Sequence, residues 1–143
     1  MKALRIEGPN NIKMLEAPRP TPGPDEVLVQ VAFAGVCHTD IEVLRGTHGA
    51  YRSGWAQYPV VPGHEWSGWV RDVGASVVGL EPGDLVTGET GTSCMRCRLC
   101  LTGAHNCCPD VLETGIIKRD RAMREFHVHP AAFVHSLGDL PAA

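Results

Sequence analysis

The sequence lacks a long apolar run, a leader-like N-terminus, a strong charge imbalance and an internal repeat. Each absence removes a class of protein. A transmembrane helix needs about 20 predominantly apolar residues in succession, and the chain offers none. A secretory leader needs an unbroken apolar core, whereas Arg5 and Glu7 interrupt the opening residues. A formal charge of −3 gives nucleic acid or an anionic membrane no electrostatic hold. A Gly-rich turn between a strand and a helix, which a dinucleotide-binding domain requires, is also missing. The setting to expect is the reducing cytoplasm, where grouped thiols bind metal or do chemistry rather than pair as disulfides.

The 143 residues, 43% of them hydrophobic, suit one domain with its own core and no internal linker. Sixteen glycines and eleven prolines predict many turns and short strands. Alternating apolar residues mark strands at 2–7 and 12–17, joined by Gly8-Pro9-Asn10-Asn11. Four prolines make 18–25 an extended connection. The run EVLVQVAFAGV (26–36) is apolar on both faces and predicts a strand covered on both sides. A capping box of Thr39 and Glu42, with Gly46 as a stop, predicts a short helix from about Asp40 to Arg45. The stretch from Gly46 to Gly63 reads as loop, and 65–74, 123–130 and 131–137 read as further strands. The fold class expected is mainly β, an irregular barrel-like domain with short helices.

Five of the six cysteines lie between 94 and 108. Cys94, Cys97 and Cys100 are spaced C-x2-C-x2-C, and Cys107 and Cys108 follow a Gly-containing turn. Four thiolates can surround a zinc ion tetrahedrally, which closes the site and makes it structural. Spacing alone does not choose between Cys107 and Cys108. An iron–sulfur run ending in Cys-Pro is the nearest rival, but it needs three residues before its last cysteine, and six or seven stand here.

Cys37 stands apart, at the end of a strand and the mouth of a helix, where backbone N–H groups favour thiolates. His64 and Glu65 follow the Pro62-Gly63 turn. A thiolate, an imidazole and a carboxylate suit an open zinc site with a position left for substrate. On a regular strand His64 and Glu65 would point to opposite faces, and the turn relaxes that constraint.

The segments G-V-C-H-T-D (35–40), V-P-G-H-E-W-S-G (61–68), V-G-A-S-V (73–77), P-G-D-L-V (82–86) and C-M-R-C-R-L-C-L-T-G-A-H-N-C-C (94–108) together resemble the zinc-dependent alcohol dehydrogenases of the medium-chain family. E-F-H-V-H-P (125–130) is similar to a later strand of that family. The resemblance implies a GroES-like catalytic domain over 1–143, an irregular β-barrel with a structural-zinc lobe at about 91–110. It implies Cys37, His64 and Glu65 at a catalytic zinc, and Cys94, Cys97, Cys100 and Cys108 at a structural zinc, with Cys107 left as a packed thiol. By the same resemblance, Asp40 orients a ligand histidine, Thr39 hydrogen-bonds the substrate oxygen and passes its proton outward, and His38 meets the cofactor's phosphate.

Glu42 stands where several short-alcohol members carry a relay histidine. With G-E-T at 88–90, this is similar to the threonine, polyol and sugar branches. The implied activity is reversible oxidation of a small alcohol to a carbonyl, with zinc as Lewis acid and NAD or NADP as hydride acceptor. The Rossmann domain for that cofactor is absent from these residues, so the chain alone is expected to be inactive, with the cofactor domain as a missing partner. A face left uncovered by that domain favours self-association into a homo-oligomer. The contrasting expectation is a non-enzymatic zinc-binding module or assembly subunit on the same barrel. Arg121 and Arg124 stand where the family carries small residues, and they suggest an altered edge strand.

Overall fold

The structure, a computed structural model, describes residues 1–117 and 120–138. Arg119, which opens the unusual stretch 119–126, and the closing residues 139–143 lie outside the described residues.

The chain begins as a hairpin, β1 (Lys2–Gly8) and β2 (Asn11–Glu16). The predicted alternation marks a covered face only in β1, where Ala3 and Ile6 are buried; Ile12 and Met14 of β2 remain largely in solvent. The proline-rich connection leads to β3 (Glu26–Ala34), followed by α1 (His38–Arg45) and the single turn α2 (Gly49–Arg52). That turn falls inside the predicted loop, capped by the His48 ring, whose Nδ1 accepts the Ala50 N–H. Next come β4 (Trp66–Val73), β5 (Leu85–Gly88) and β6 (Gly91–Thr92). The thiol-rich segment contains α3 (Arg98–Leu101) and a 3-10 turn at His105–Cys107, and returns through β7 (Leu112–Glu113), which pairs with β6. β8 (Phe126–Pro130) and β9 (Val134–Ser136) complete the described chain. A 3-10 turn at Ala131–Phe133 takes the first half of the predicted strand 131–137.

The main sheet is antiparallel, in the order β8-β3-β4-β5-β9. β3 lies inside it, and Val27, Leu28 and Val29 are all buried, as a β-branched run covered on both faces should be. That covering lapses at the strand's far end, where Phe33 is 54% exposed.

One apolar cluster gathers Val27, Val29, Trp66, Val70, Val86 and Val134 on the sheet. A second joins Ile6, Val43, Val60, Ile116 and Ile117, so that α1 is fastened to the hairpin through Val43. Tyr51 donates its hydroxyl to the Ile116 carbonyl at 2.9 Å, and Tyr58 donates to the Val43 carbonyl, which ties the phenols into that cluster. Among the described residues, no helix is long and apolar enough to cross a membrane.

Arg121 and Arg124 have distinct places. Arg121 is fully buried, and its Nη1 donates to the Val128 carbonyl of the edge strand β8 at 2.7 Å. Arg124 bridges the backbone of Ala3 in β1. His127 and His129 of β8 are also fully buried, and their rings lie against Trp66 with centroids 4.4 Å and 5.4 Å away.

Trp66 fills the space over β5 so closely that a Cβ on Gly88 would stand 2.4 Å from its ring. Gly88→Ala should therefore cost about 1–3 kcal/mol through overpacking. Denaturant unfolding tests this: a lowered midpoint with an unchanged slope is expected, and a wild-type midpoint would contradict the packing.

Candidate metal centres

The first centre forms where β3 hands over to α1. Cys37 is the N-cap of α1 and Asp40 its third helical residue. The Asp40 carboxylate, only 5% exposed, accepts the Cys37 N–H at 2.9 Å through Oδ2. This corrects the predicted capping box. The helix starts at His38 rather than Asp40, because the acid three residues after Cys37 takes the free N–H and leaves Thr39 inside the first turn. Gly46 closes the helix in the left-handed region (φ 72°), as expected.

The other oxygen of Asp40 reaches across to the Pro62-Gly63 turn. Oδ1 accepts the Gly63 N–H at 3.3 Å and lies 3.5 Å from His64 Nδ1, an ion-pair contact without hydrogen-bond alignment. One donor atom each from Cys37, His64 and Glu65 then falls within 4.8 Å of the others. Glu65 can join its neighbour because β4 begins only at Trp66, so strand alternation does not apply at 64 and 65. Its side chain lies over Gly35, where a Cβ would stand 2.5 Å from Glu65 Oε2 and 3.0 Å from Glu65 Cβ. Gly35 therefore keeps open the space that the Glu65 side chain occupies. Thr39 Oγ1 lies 3.8 Å from Cys37 Sγ, and His38 is exposed at the first position of α1. Glu42 is half-buried further along the helix, where its carbonyl accepts the N–H of Thr47 and of His48.

The charges of this centre support one another. Cys37 is held below the usual thiol range, first by the Thr39 backbone N–H and then by His64. The Asp40 carboxylate, against the opposing effect of burial, raises His64 to about 9. Burial pushes Asp40 up, but the nearby His64 ring and the N–H groups of Cys37 and Gly63 bring it net below its ordinary value. Sulfur, nitrogen and oxygen donors converging in this way match an open zinc site.

The second centre is the thiol lobe. The sulfurs of Cys94, Cys97, Cys100 and Cys108 lie within 4.8 Å of one another, with separations of 3.5 Å (94–108 and 97–100) and 3.9 Å (94–100 and 97–108). A tetrahedron of sulfurs at the zinc–thiolate bond length has edges of about 3.8 Å, so the spacing fits that ion. Backbone N–H groups already point at two of the sulfurs, Cys97 N–H to Cys94 at 3.4 Å and Cys100 N–H to Cys97 at 3.5 Å.

Cys100 is lowered to about 6, chiefly by Ser93 and against burial. Cys108 is pushed up to about 11: the bond with the Cys94 backbone lowers it, but burial and the sulfurs of Cys94 and Cys100 outweigh that. Four clustered sulfurs resist carrying four charges without a cation among them, and a divalent ion removes that penalty.

The geometry selects Cys108 over Cys107. Cys107, expected to be packed, is exposed at the end of the 3-10 turn, whereas the extended residue after it carries the buried sulfur. Ser93 and His105, which sequence reasoning did not single out, meet beside Cys100. The sequence signals available were the adjacency of Ser93 to Cys94 and the place of His105 within the segment 94–108.

A profile of the alcohol dehydrogenase GroES-like domain matches residues 23–139, and the chain belongs to that family. It is 34% identical to human sorbitol dehydrogenase, over 96% of this chain and 38% of that one. It is also 34% identical to L-threonine 3-dehydrogenase of Deinococcus radiodurans, over 97% of this chain and 39% of the relative. Among solved structures, galactitol-1-phosphate dehydrogenase from Escherichia coli superposes with a TM-score of 0.86 at 30% identity, over 99% of this chain and 39% of that one. The chain thus spans well under half the length of these relatives.

With a pKa near 9, metal-free His64 carries its proton at pH 7.5. A zinc ion can take that imidazole only by displacing the proton, so zinc uptake should release protons and weaken as pH falls. In weak buffer, the His64→Ala protein should release about one proton fewer per chain than the wild type. Equal release would contradict the protonated state.

Proposed function

We propose that residues 1–143 form the GroES-like catalytic domain of a zinc-dependent alcohol dehydrogenase, oxidising a secondary alcohol, polyol, sugar or threonine-like substrate with NAD or NADP. The observation that carries this reading is the convergence of Cys37, His64 and Glu65 within 4.8 Å, with the Thr39 hydroxyl beside them. Cys37, His64 and Glu65 would hold the catalytic zinc, and Cys94, Cys97, Cys100 and Cys108 the structural one. When bound, the catalytic ion supplies Lewis acidity toward the substrate hydroxyl.

The remaining work falls to side chains of this chain. Thr39 accepts a hydrogen bond from the substrate hydroxyl and carries its proton outward. Asp40 fixes the ring of His64 from behind, as outer partners of ligand histidines do. His38 would meet a cofactor phosphate, a reading its exposure at the N-terminal end of α1 supports. Hydride acceptance belongs to a nicotinamide cofactor. Sorbitol, threonine and galactitol 1-phosphate, which appear in the relatives' names, all bear secondary hydroxyls, and this supports the substrate class.

The test uses the protein that carries this domain, assayed for polyol-, sugar- and threonine-dependent reduction of NAD and NADP. Cys37→Ala and His64→Ala should each lower kcat/KM by about a thousandfold, the several kcal/mol that a Lewis acid contributes. Cys107→Ser should leave it unchanged. Wild-type turnover in Cys37→Ala would contradict the reading, as would the absence of any alcohol-dependent turnover.

A further inference from the structure

The four sulfurs of the thiol lobe are not supported alike. Cys94 and Cys97 receive backbone N–H groups, which no side-chain substitution removes. Apart from its fellow sulfurs, the Cys100 sulfur instead meets a side chain, the Ser93 hydroxyl, at 3.4 Å. Ser93 Oγ is also 3.4 Å from His105 Nδ1 and 3.6 Å from Met95 Sδ.

A protonated Cys100 can donate to Ser93, but a thiolate has no hydrogen to give. Once Cys100 is a thiolate, the Ser93 O–H must turn and donate to sulfur. Its oxygen is then free to accept an N–H from His105 Nδ1. The result is a directed chain from imidazole to hydroxyl to sulfur. Hydrogen bonds to an anion of this kind are stronger than neutral ones, and a relay of them is cooperative.

A cavity of about 430 Å³ lies on the outer side of this chain, lined by Glu89, Thr90, Ser93, His105 and Asn106 among others. Cys100 itself is 4% exposed. Ser93 and His105 thus contact solvent on one side and lead to the buried sulfur on the other.

We propose that Ser93 and His105 are positioning residues for the thiol lobe, a two-step hydrogen-bond chain that draws charge from the Cys100 sulfur and closes it against the adjoining cavity. The chain slows loss of the lobe's metal to competing chelators. This inference rests on the structural-zinc reading of the four cysteines.

The experiment measures zinc transfer from the loaded protein to a chromogenic chelator, and the energy of the sulfur-to-metal charge-transfer band after cobalt replaces zinc. All variants carry Cys37→Ala and His64→Ala, so that only the thiol lobe is read. Ser93→Ala should speed transfer about tenfold, the lower end of what loss of an outer partner costs, and move the cobalt band to lower energy. Ser93→Thr, which keeps the hydroxyl, should preserve both readouts. His105→Ala should have a smaller effect alone and none in the Ser93→Ala background, because it acts only through Ser93.

Unchanged transfer and an unchanged band in Ser93→Ala would overturn the inference. An effect of His105→Ala that survives the loss of Ser93 would overturn it too. If the parent without Cys37 and His64 binds no metal at all, the structural-zinc reading itself has failed, a result distinguishable from either of the others. Circular dichroism of each metal-loaded variant separates loss of the chain from loss of the fold, and Ser93→Thr supplies a folded control.

Discussion

A buried carboxylate joins the two segments on which the first centre depends. Asp40 accepts the N–H that starts α1 and the N–H of Gly63, and its Oδ1 lies beside the ring of His64. An unpaired buried carboxylate is costly, so the two N–H donors, the His64 ring and the acid stabilise one another. Burial holds that acid in place while its donors keep it charged, and the charge in turn raises the pKa of His64.

The two centres solve opposite problems with related donors. In the thiol lobe, four sulfurs surround one point and most of the turn hydrogen bonds are local, which suits a brace. At the helix mouth, three unlike donors converge from separate parts of the chain and a hydroxyl stands next to them. The framework behind both is the antiparallel sheet, with β3 and β4 paired along most of their length. A backbone hydrogen bond from Gly35 to Glu65, 2.8 Å, continues that pairing past the strand ends to the first centre.

Local chemistry was legible in the sequence, and long-range choices were less so. The C-x2-C-x2-C spacing is short enough that any turn brings those sulfurs together, and the structure does so. The choice between Cys107 and Cys108 depended on which of two adjacent side chains faces inward after a 3-10 turn, and spacing carries no such information. The capping box read from the sequence used Glu42; in the structure Asp40 takes that role, buried against a second segment. The mainly β character followed from turn-rich alternation, but β2 shows that alternation marks a strand without guaranteeing that either face is covered. Arg121 was legible only as a sign of an altered edge strand; that its guanidinium is buried and bonded to the Val128 carbonyl of β8 depends on a contact the sequence does not display.

The measurement that most directly tests this account is zinc affinity in Asp40→Asn, with both centres assayed separately by competition. Loss of the charge behind His64 should weaken the Cys37 centre by about 10–100-fold while the thiol lobe holds its ion as before. Equal affinity at the Cys37 centre in Asp40→Asn and wild type would contradict the claim that this carboxylate organises it.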